Sequence, residues 1–199
     1  LNVIGAVRSQ ASVNFFPNSI KKSIVTDINA EDMPSIKNLI LKFKPDVVIN
    51  CIGIVKQKSE VNDPLLALPI NSLFPHQLAR CCHNLGVRLI HFSTDCLFSG
   101  RKGMYKETDD ADAMDMYGIS KRLGEVDYEN SITLRTSIIG HEINGNSSLI
   151  SWFLSQEGRV EGYKNAIFSG LPTIEISKVI KDYVIPNPEL RGVYHLSSD

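Results

Sequence analysis

The sequence predicts an α/β fold in which a parallel sheet is covered by helices on both faces. Short runs of β-branched and other apolar residues, typical of buried strands, recur along most of the chain. Segments with apolar residues at helical spacing separate these runs, and such alternation favours parallel strands joined by crossover helices. The chain has 199 residues, 43% of them hydrophobic and 22% charged, which suits one soluble domain and a fraction of another.

The first half of the chain is predicted to contain three strands and two helices. The strands, the first of which is expected to be buried, cover residues 2–7, 23–26 and 46–50. Residues 33–43 carry apolar side chains at helical spacing and stop before Pro45, so they predict a helix. Residues 64–85 are predicted to be helical with interruptions near Pro69 and Pro75, because proline cannot donate a backbone hydrogen bond.

The second half continues the alternation and then becomes less regular. A strand, a long polar loop, a helix and a strand are predicted over residues 87–93, 95–115, 116–128 and 132–136. Beyond Gly140, two helices and a strand are predicted over residues 149–154, 174–183 and 192–196. A loop as long as the predicted one is usually functional in a compact domain. We therefore predict one domain over residues 1–140 and part of a substrate-facing lobe over residues 141–199.

Charge and composition exclude several classes of function. The net charge of −1 gives no reason to expect nucleic acid or an anionic membrane as a partner. No apolar run approaches the roughly 20 residues of a membrane span. The four cysteines form no Cys-x-x-Cys pair, which favours reduced thiols and a cytoplasmic location. The five histidines lack metal-ligand spacing, so no metal site is predicted.

Tyr117 and Lys121 are the strongest candidates for catalytic residues. They lie one helical turn apart and so share a helix face. They follow a predicted strand whose carboxyl end carries Thr94, and ligands bind at such strand ends. An ammonium near a phenol is expected to move its pKa from about 10 toward neutral, which suits proton exchange with a carbonyl oxygen. A solvated lysine on a surface helix is the alternative, which the preceding strand disfavours.

Several motifs in this order and spacing resemble one known family. They cover residues 47–53, 71–79, 93–100, 117–121, 124–125 and 134–137. The chain resembles the extended short-chain dehydrogenase/reductases and, within them, the dTDP-4-dehydrorhamnose reductase branch. The resemblance implies a Rossmann-like, doubly wound parallel sheet that binds NAD(P) and a small C-terminal lobe that binds a nucleotide-sugar.

The resemblance also implies a reaction and a role for each candidate catalytic residue. The reaction is NADPH-dependent reduction of a 4-keto-6-deoxy nucleotide-sugar for surface polysaccharide, by hydride transfer from the nicotinamide. Thr94, Tyr117 and Lys121 match the family's catalytic positions. Tyr117 would protonate the developing alkoxide and Thr94 would orient the keto oxygen. Lys121 would tune the phenol and hold the nicotinamide ribose.

Further residues match the family's binding positions. Arg8 matches the group that meets the adenosine 2′-phosphate, which favours NADPH and leaves NADH open. Asp27 and Ile28 match residues that line the adenine. Residues that match the nicotinamide-riboside site are Asn50, Cys51, Ile52, Gly53, Tyr117 and Lys121. Asp95 and Phe98 would border the sugar.

Departures from the family pattern produce two expectations. The family's glycine-rich turn, which holds the pyrophosphate, is absent from this sequence. The chain is therefore expected to be an N-terminally truncated fragment that lacks the first βα unit. Such a fragment is expected to bind NADPH poorly when it is alone. Cys51 and Ile52 are bulkier than the family's small alanines. Cys96 and Ile138 stand where rhamnose-pathway members often have aromatic residues, so a dTDP- or a UDP-linked sugar stays open.

Two other functions fit the same scaffold. A nucleotide-sugar epimerase or dehydratase that retains NAD is one, although it would prefer an acidic group where Arg8 stands. A non-catalytic NADP-binding regulatory subunit, like those of methionine adenosyltransferase, is the other. A homodimer is compatible with any of these functions. An acidic cluster could bind Mg²⁺, but a solvated loop is the favoured interpretation of Glu107, Asp109, Asp110 and Asp112.

Overall fold

The computed structural model describes residues 1–143 and 145–198. The chain divides into two compact units, Leu1–Lys44 and Pro45–Asp199. The boundary predicted at residue 140 stays a prediction, and a strand that follows it lies in the sheet of the second unit.

The first unit is built on two short parallel strands, β1 (Gly5–Ala6) and β2 (Ile24–Val25). A 3-10 helix (Gln10–Phe15) and helix α1 (Asn18–Lys21) connect them, and helix α2 (Met33–Phe43) follows. The prediction of a buried strand over residues 2–7 is wrong, because the pairing with β2 extends over two residues only. Leu1 is 79% exposed and Val3 is 66% exposed.

Helix α2 begins and ends where the sequence predicts. The carboxylate of Asp32 accepts a hydrogen bond from the Ser35 amide at 3.1 Å and so caps the first turn. Ile36 and Ile40 form the buried face. Lys44 adopts a left-handed conformation (φ 47°) directly before Pro45, and this combination ends the helix.

The second unit contains a four-stranded parallel sheet, which confirms the predicted fold class. Its strands are β3 (Val47–Asn50), β4 (Arg88–Ser93), β5 (Ser131–Arg135) and β8 (Gly192–His195), in the order β3-β4-β5-β8. A separate parallel pair, β6 (Ile138–Ile139) and β7 (Leu171–Pro172), was not predicted. A 3-10 turn over Ser59–Asn62 was also not predicted.

One continuous helical run connects β3 to β4. It consists of helix α3 (Pro64–Ala67), a π-helical segment (Leu68–Leu73) and helix α4 (Phe74–Asn84). The backbone keeps right-handed helical angles through both junctions, so the predicted interruptions are changes of helix type and not breaks. A π segment can accommodate Pro69, because the changed hydrogen-bond pattern tolerates the lost donor.

Helix α5 (Met116–Leu123) ends five residues before the predicted end at residue 128. The side chain of Val126 is fully buried. Its backbone N–H and C=O both bond to the hydroxyl of Thr133 in β5, at 3.1 and 2.7 Å. This side chain satisfies the backbone groups that another helical turn would use, and so the chain turns toward the sheet.

The two faces of the second sheet differ in polarity. On one face, strand residues pack against helix α7 (Thr173–Val179) and the π-helical segment Ile180–Val184. Helix α6 (Leu149–Leu154) precedes them in the chain and has its predicted bounds. This apolar cluster contains Ile90, Ile132, Leu134, Ile176, Ile180 and Val184. Because side chains alternate along a strand, their neighbours lie on the other face. The neighbours include the buried polar residues Asn50, His91, Ser93, Thr133 and Arg135.

Candidate active site

Helix α5 places Tyr117 against the end of β4. The carboxylate of Asp115 caps the helix by accepting a hydrogen bond from the Gly118 amide at 2.9 Å. A Cβ atom on Gly118 would lie 2.8 Å from the backbone oxygen of Cys96. Only a glycine therefore lets the first turn of α5 approach the 3-10 turn Asp95–Leu97 that follows β4.

Lys121 is buried beneath the same strand end. Its side chain is only 6% exposed, and Nζ donates a hydrogen bond to the backbone oxygen of Phe92 at 2.7 Å. Burial lowers the pKa of Lys121 to about 8, and the nearby Glu125 and Cys51 oppose that shift. An ammonium has three donors, and Phe92 accepts one of them.

Tyr117 is half-buried, and its pKa differs from the predicted direction. Burial raises the pKa of the Tyr117 phenol above its usual range, while a hydrogen bond with the Thr94 side chain partly opposes the rise. The expected lowering by Lys121 is wrong, because burial of the phenol dominates and the ammonium is directed at Phe92. A phenol with a raised pKa stays protonated at neutral pH and can donate a proton.

Thr94 completes the predicted catalytic group. Its hydroxyl oxygen accepts a hydrogen bond from the Cys96 amide at 3.1 Å, which fixes its position at the end of β4. The same side chain lies near enough to Tyr117 to lower the pKa of its phenol. Thr94 and Tyr117 are therefore neighbours at the end of β4, and Lys121 bonds to Phe92 of the same strand.

The turn after β3 lies beside Lys121. The side-chain oxygen of Asn50 accepts a hydrogen bond from the Ile52 amide at 3.0 Å. A Cβ atom on Gly53 would lie 3.8 Å from Lys121 Nζ. Cys51 and Ile52 are exposed. The four predicted residues of this turn therefore form one short segment, and its Gly53 end lies beside Lys121.

Asn71, the first residue of the motif over residues 71–79, is a structural member of the site. It is fully buried in the π-helical segment and bonds both backbone groups of Ile54, accepting at 2.7 Å and donating at 3.0 Å. It also donates to the Ser120 hydroxyl at 3.1 Å, and Ser120 donates to the backbone oxygen of Tyr117 at 3.0 Å. In the sequence, a polar residue in the middle of an apolar helical run indicates such a buried structural contact.

Asp95 and Phe98 lie at the carboxyl end of the sheet. Asp95 accepts a hydrogen bond from the hydroxyl of Ser137 at 2.6 Å, a contact that was not predicted. The ring of Phe98 stacks on Tyr105, with centroids 4.3 Å apart, and meets His195 edge-on at 5.6 Å. Phe98 and Tyr105 of the long loop therefore form one surface with His195 at the end of the sheet.

A buried ion pair supports this end of the sheet. Arg135 and Glu125 bond through two contacts of 2.8 Å, and both side chains are 9% exposed. Glu125 also accepts a hydrogen bond from the Ser93 hydroxyl at 2.7 Å. Because Ser93 directly precedes Thr94, the ion pair supports the strand end that carries Thr94. Neither Glu125 nor Arg135 was predicted as a site residue.

Arg8, Asp27 and Ile28 belong to the first unit. Arg8 follows β1, and Asp27 follows β2, so they lie at the same edge of that parallel pair. The Ile28 amide donates to the backbone oxygen of Val7 at 3.1 Å. Asp27 is exposed, has a left-handed backbone (φ 64°) and accepts a hydrogen bond from Thr26 at 2.8 Å.

The described residues contain neither a cluster of metal ligands nor a membrane-spanning helix. Among residues 1–143 and 145–198, no group of three or more His, Cys, Asp or Glu side chains could hold a metal ion. Within the same residues, no helix has the length and apolar character needed to cross a bilayer.

Comparison with known proteins gives one family and several relatives. Residues 8–199 match the family described as RmlD substrate binding domain. The chain is 30% identical over 99 residues to a dTDP-4-dehydrorhamnose reductase from Streptomyces griseus, covering 49% of this chain and 33% of that protein. It is 30% identical over 183 residues to the spore coat polysaccharide biosynthesis protein SpsK from Bacillus subtilis, covering 86% and 62%. The matched part thus spans between about a third and two thirds of these relatives.

A solved structure shares the fold. The dTDP-4-dehydrorhamnose reductase from Bacillus anthracis, determined in complex with NADP, superimposes with a TM-score of 0.73 at 19% identity, covering 99% of this chain and 76% of that one. This likeness confirms the predicted Rossmann-like fold.

Proposed function

The chain belongs to the RmlD substrate binding domain family, and on that premise we propose that it carries the catalytic group of an NADPH-dependent reductase of 4-keto-6-deoxy nucleotide-sugars. Membership agrees with the predicted resemblance to the dTDP-4-dehydrorhamnose reductase branch. The proposal rests on one observation above all: Thr94 at the end of β4 lies beside Tyr117, one helical turn before the buried Lys121, whose Nζ bonds to Phe92 of the same strand.

The second unit fits the nicotinamide end of NADPH. Gly53 lies beside Lys121, since a Cβ atom at that position would be 3.3 Å from the Asn71 side-chain oxygen and 3.8 Å from Lys121 Nζ. Lys121 has donors beyond the one that Phe92 accepts, and ribose hydroxyls are suitable acceptors for them. Asn50, Cys51 and Ile52 would form the rest of this contact.

The catalytic side chains divide the work of reduction. NADPH supplies the hydride when it is bound. Thr94 donates a hydrogen bond to the keto oxygen and holds it against Tyr117. Tyr117, protonated because burial raises its pKa, gives its proton to that oxygen, which becomes a hydroxyl group. Lys121, in its charged form, orients the cofactor through the donors that Phe92 does not use.

The adenosine end is assigned to the first unit. Arg8 would bind the 2′-phosphate, because a guanidinium matches phosphate geometry, and this choice favours NADPH over NADH. Asp27 and Ile28 would line the adenine. The exposed side chain of Arg8 is available for such a contact.

The sugar is assigned to the carboxyl end of the second sheet. Asp95 supplies a carboxylate for sugar hydroxyls, and Phe98 supplies an apolar surface for a sugar ring. A 6-deoxy sugar, which carries a methyl group, suits such a mixed surface. The residues beyond 140 are proposed to be part of the lobe that binds the nucleotide, either dTDP or UDP.

The remaining expectations form part of the same proposal. A cytoplasmic protein fits thiols that form no disulfide among the described residues, such as the buried Cys82 and the half-buried Cys96. A homodimer would cover apolar side chains of the helical run and of α5, since Leu65 and Leu73 are exposed on the former and Leu123 on the latter. Sedimentation equilibrium at micromolar concentration tests this assembly, and a monomer there would exclude it.

The same residues disfavour the two alternative functions. An epimerase or dehydratase that retains NAD is disfavoured by Arg8, because such enzymes would use an acidic group on the ribose. A non-catalytic NADP-binding subunit would not need a proton donor, so the presence of Thr94, Tyr117 and Lys121 around one strand end disfavours it.

Absorbance of NADPH tests the proposal directly. The natural full-length protein would be mixed with NADPH and a panel of dTDP- and UDP-linked 4-keto-6-deoxy sugars. Oxidation of NADPH with at least one sugar is the expected result, and it also identifies the nucleotide. Binding of NADPH without oxidation by any sugar would exclude the reductase and favour the binding subunit.

A further inference from the structure

Three buried polar side chains form a row across three strands of the second sheet. Asn50 of β3 is paired in register with His91 of β4, and His91 is paired with Thr133 of β5. All three project from the face opposite the apolar cluster, and His91 is fully buried. A histidine in the middle of a buried sheet needs an explanation, because apolar residues are the usual occupants of such positions.

The contact between His91 and Asn50 has a defined direction. Nδ1 of His91 lies 3.0 Å from the side-chain nitrogen of Asn50. The side-chain oxygen of Asn50 is already occupied by the Ile52 amide at 3.0 Å, which fixes the orientation of the carboxamide. An amide nitrogen can only donate, so Nδ1 of His91 accepts and the imidazole proton is on Nε2. Burial lowers the pKa of His91 to about 3, so the acceptor persists at neutral pH.

The same arrangement is unfavourable for stability. Nε2 of His91 is buried and has no hydrogen-bond partner among the residues that the structure describes. A buried donor without a partner destabilises the folded state, whereas a leucine at this position would have no donor to satisfy. Stability therefore does not account for a histidine here, but its acceptor nitrogen does, since leucine could not hold Asn50.

We propose that His91 is a positioning residue for the Asn50–Gly53 turn: its Nδ1 holds the Asn50 carboxamide in the one orientation that anchors the Ile52 amide. The turn is thereby held at two points, by Asn50 at Ile52 and by Asn71 at Ile54. The importance of this for cofactor binding rests on the proposed function, which places the nicotinamide riboside against this turn. The positioning itself does not depend on that function.

Loss of the His91 acceptor should affect the Asn50–Gly53 turn and leave the Thr94 side of the site unchanged. Without the acceptor at residue 91, the Asn50 carboxamide can rotate, and the Ile52 amide loses its fixed partner. Ile54 stays bonded to Asn71, and Thr94 stays bonded to the Cys96 amide, because neither contact involves His91. The loss should therefore weaken cofactor binding more than it slows proton donation.

Two substitutions of His91 distinguish the effect of losing the hydrogen-bond acceptor from the effect of losing the imidazole ring. His91→Leu removes the acceptor, and His91→Asn keeps an acceptor oxygen close to the place of Nδ1. Amide hydrogen exchange, followed by NMR in the full-length protein, reports on the turn without any cofactor. In His91→Leu the Ile52 amide should exchange about tenfold faster than in the wild type, the scale of one lost neutral hydrogen bond. The Ile54 amide is the internal control and should change less than about twofold.

Cofactor affinity and turnover provide the second readout. His91→Leu should raise the NADPH dissociation constant about tenfold and lower kcat by less than about threefold, and His91→Asn should restore both to within about twofold of the wild type. Asn50→Ala removes the same link from the other side and keeps the test valid where His91→Leu does not fold. Its Ile52 amide should also exchange about tenfold faster.

The outcomes distinguish this inference from the proposed function. Unchanged Ile52 exchange in His91→Leu, or no recovery in His91→Asn, would overturn the positioning role. Faster Ile52 exchange in a protein that binds no NADPH even as the wild type would support the positioning role and contradict the proposed function. Faster exchange of Ile52 and Ile54 together would mean general loosening of the fold, and would also overturn the inference.

Discussion

The backbone oxygen of Asn71 occupies the space that a side chain on residue 124 would need. A Cβ atom on Gly124 would lie 1.9 Å from that oxygen, far inside contact distance. Gly124 directly follows α5 as its C-cap, and Asn71 lies in the π-helical part of the preceding helical run. This close approach allows the Asn71 side chain to reach both Ile54 and Ser120.

Gly124→Ala is therefore expected to destabilise the protein. The added methyl group must displace backbone, which cannot move as a flexible side chain can, and overpacking of this kind costs about 1–3 kcal/mol or more. Gly162→Ala is the matched control, because a Cβ atom there meets nothing within 4 Å. Urea denaturation compares the two. A free energy of unfolding for Gly124→Ala within about 0.5 kcal/mol of that for Gly162→Ala would contradict the close packing.

Glu125→Gln is expected to destabilise the end of the sheet. It removes the charge that pairs with the buried Arg135, and breaking a buried pair on one side costs about 3–5 kcal/mol. Glu175→Gln is the control, since its pair with Lys178 is exposed and should change stability by less than about 1 kcal/mol. Equal changes in the free energy of unfolding for the two variants would be evidence against a structural role for the buried pair.

Stability is expected to fall in acid partly because of His91. Its pKa is about 3 in the folded protein, against about 6.5 for an exposed histidine. Between these values the unfolded chain binds one more proton, so the stabilisation present above pH 6.5 is lost as the pH falls, at up to about 1.4 kcal/mol per pH unit. Urea denaturation at pH 7 and pH 5 should show a smaller loss for His91→Asn than for the wild type. An equal loss in both proteins would mean that His91 does not titrate on unfolding.

Cofactor affinity is expected to fall above about pH 8. The pKa of the buried Lys121 is about 8, so its ammonium loses a proton as the pH rises through that value, and with it the charge and a donor. If the proposed contact with the ribose is correct, the NADPH dissociation constant should increase between pH 8 and 10 by up to about tenfold per pH unit. The same titration on Lys56→Met, an exposed lysine, is the control. A dissociation constant that is flat from pH 7 to 10 would contradict a role for the Lys121 charge.

Local patterns were sufficient to predict much of the fold. Helix α2 and helix α6 have the predicted bounds, because capping residues and breakers lie next to them in sequence. The strands β6 and β7 were not predicted, since two residues each carry no periodicity. The parallel sheet followed from alternation of elements, which is also a property of the sequence.

The electrostatics and supporting contacts of the site depended on tertiary structure. The Tyr117–Lys121 spacing correctly indicated a helix, but it did not show that burial would raise the pKa of the phenol. The contact of His91 with Asn50 joins residues 41 positions apart through strand register. Asn71 and Glu125 likewise bond to residues whose proximity is set by packing and not by spacing.

Replacement of Tyr117 is the most direct test of the central claim, that this phenol is the proton donor of a reductase. In the full-length protein, with NADPH and the sugar identified by the panel, Tyr117→Phe should lower kcat by about 100-fold or more. The NADPH dissociation constant should stay within about twofold, because the ring is kept. Tyr183→Phe, on an exposed tyrosine, should keep the wild-type rate. Near-wild-type turnover in Tyr117→Phe would contradict the account.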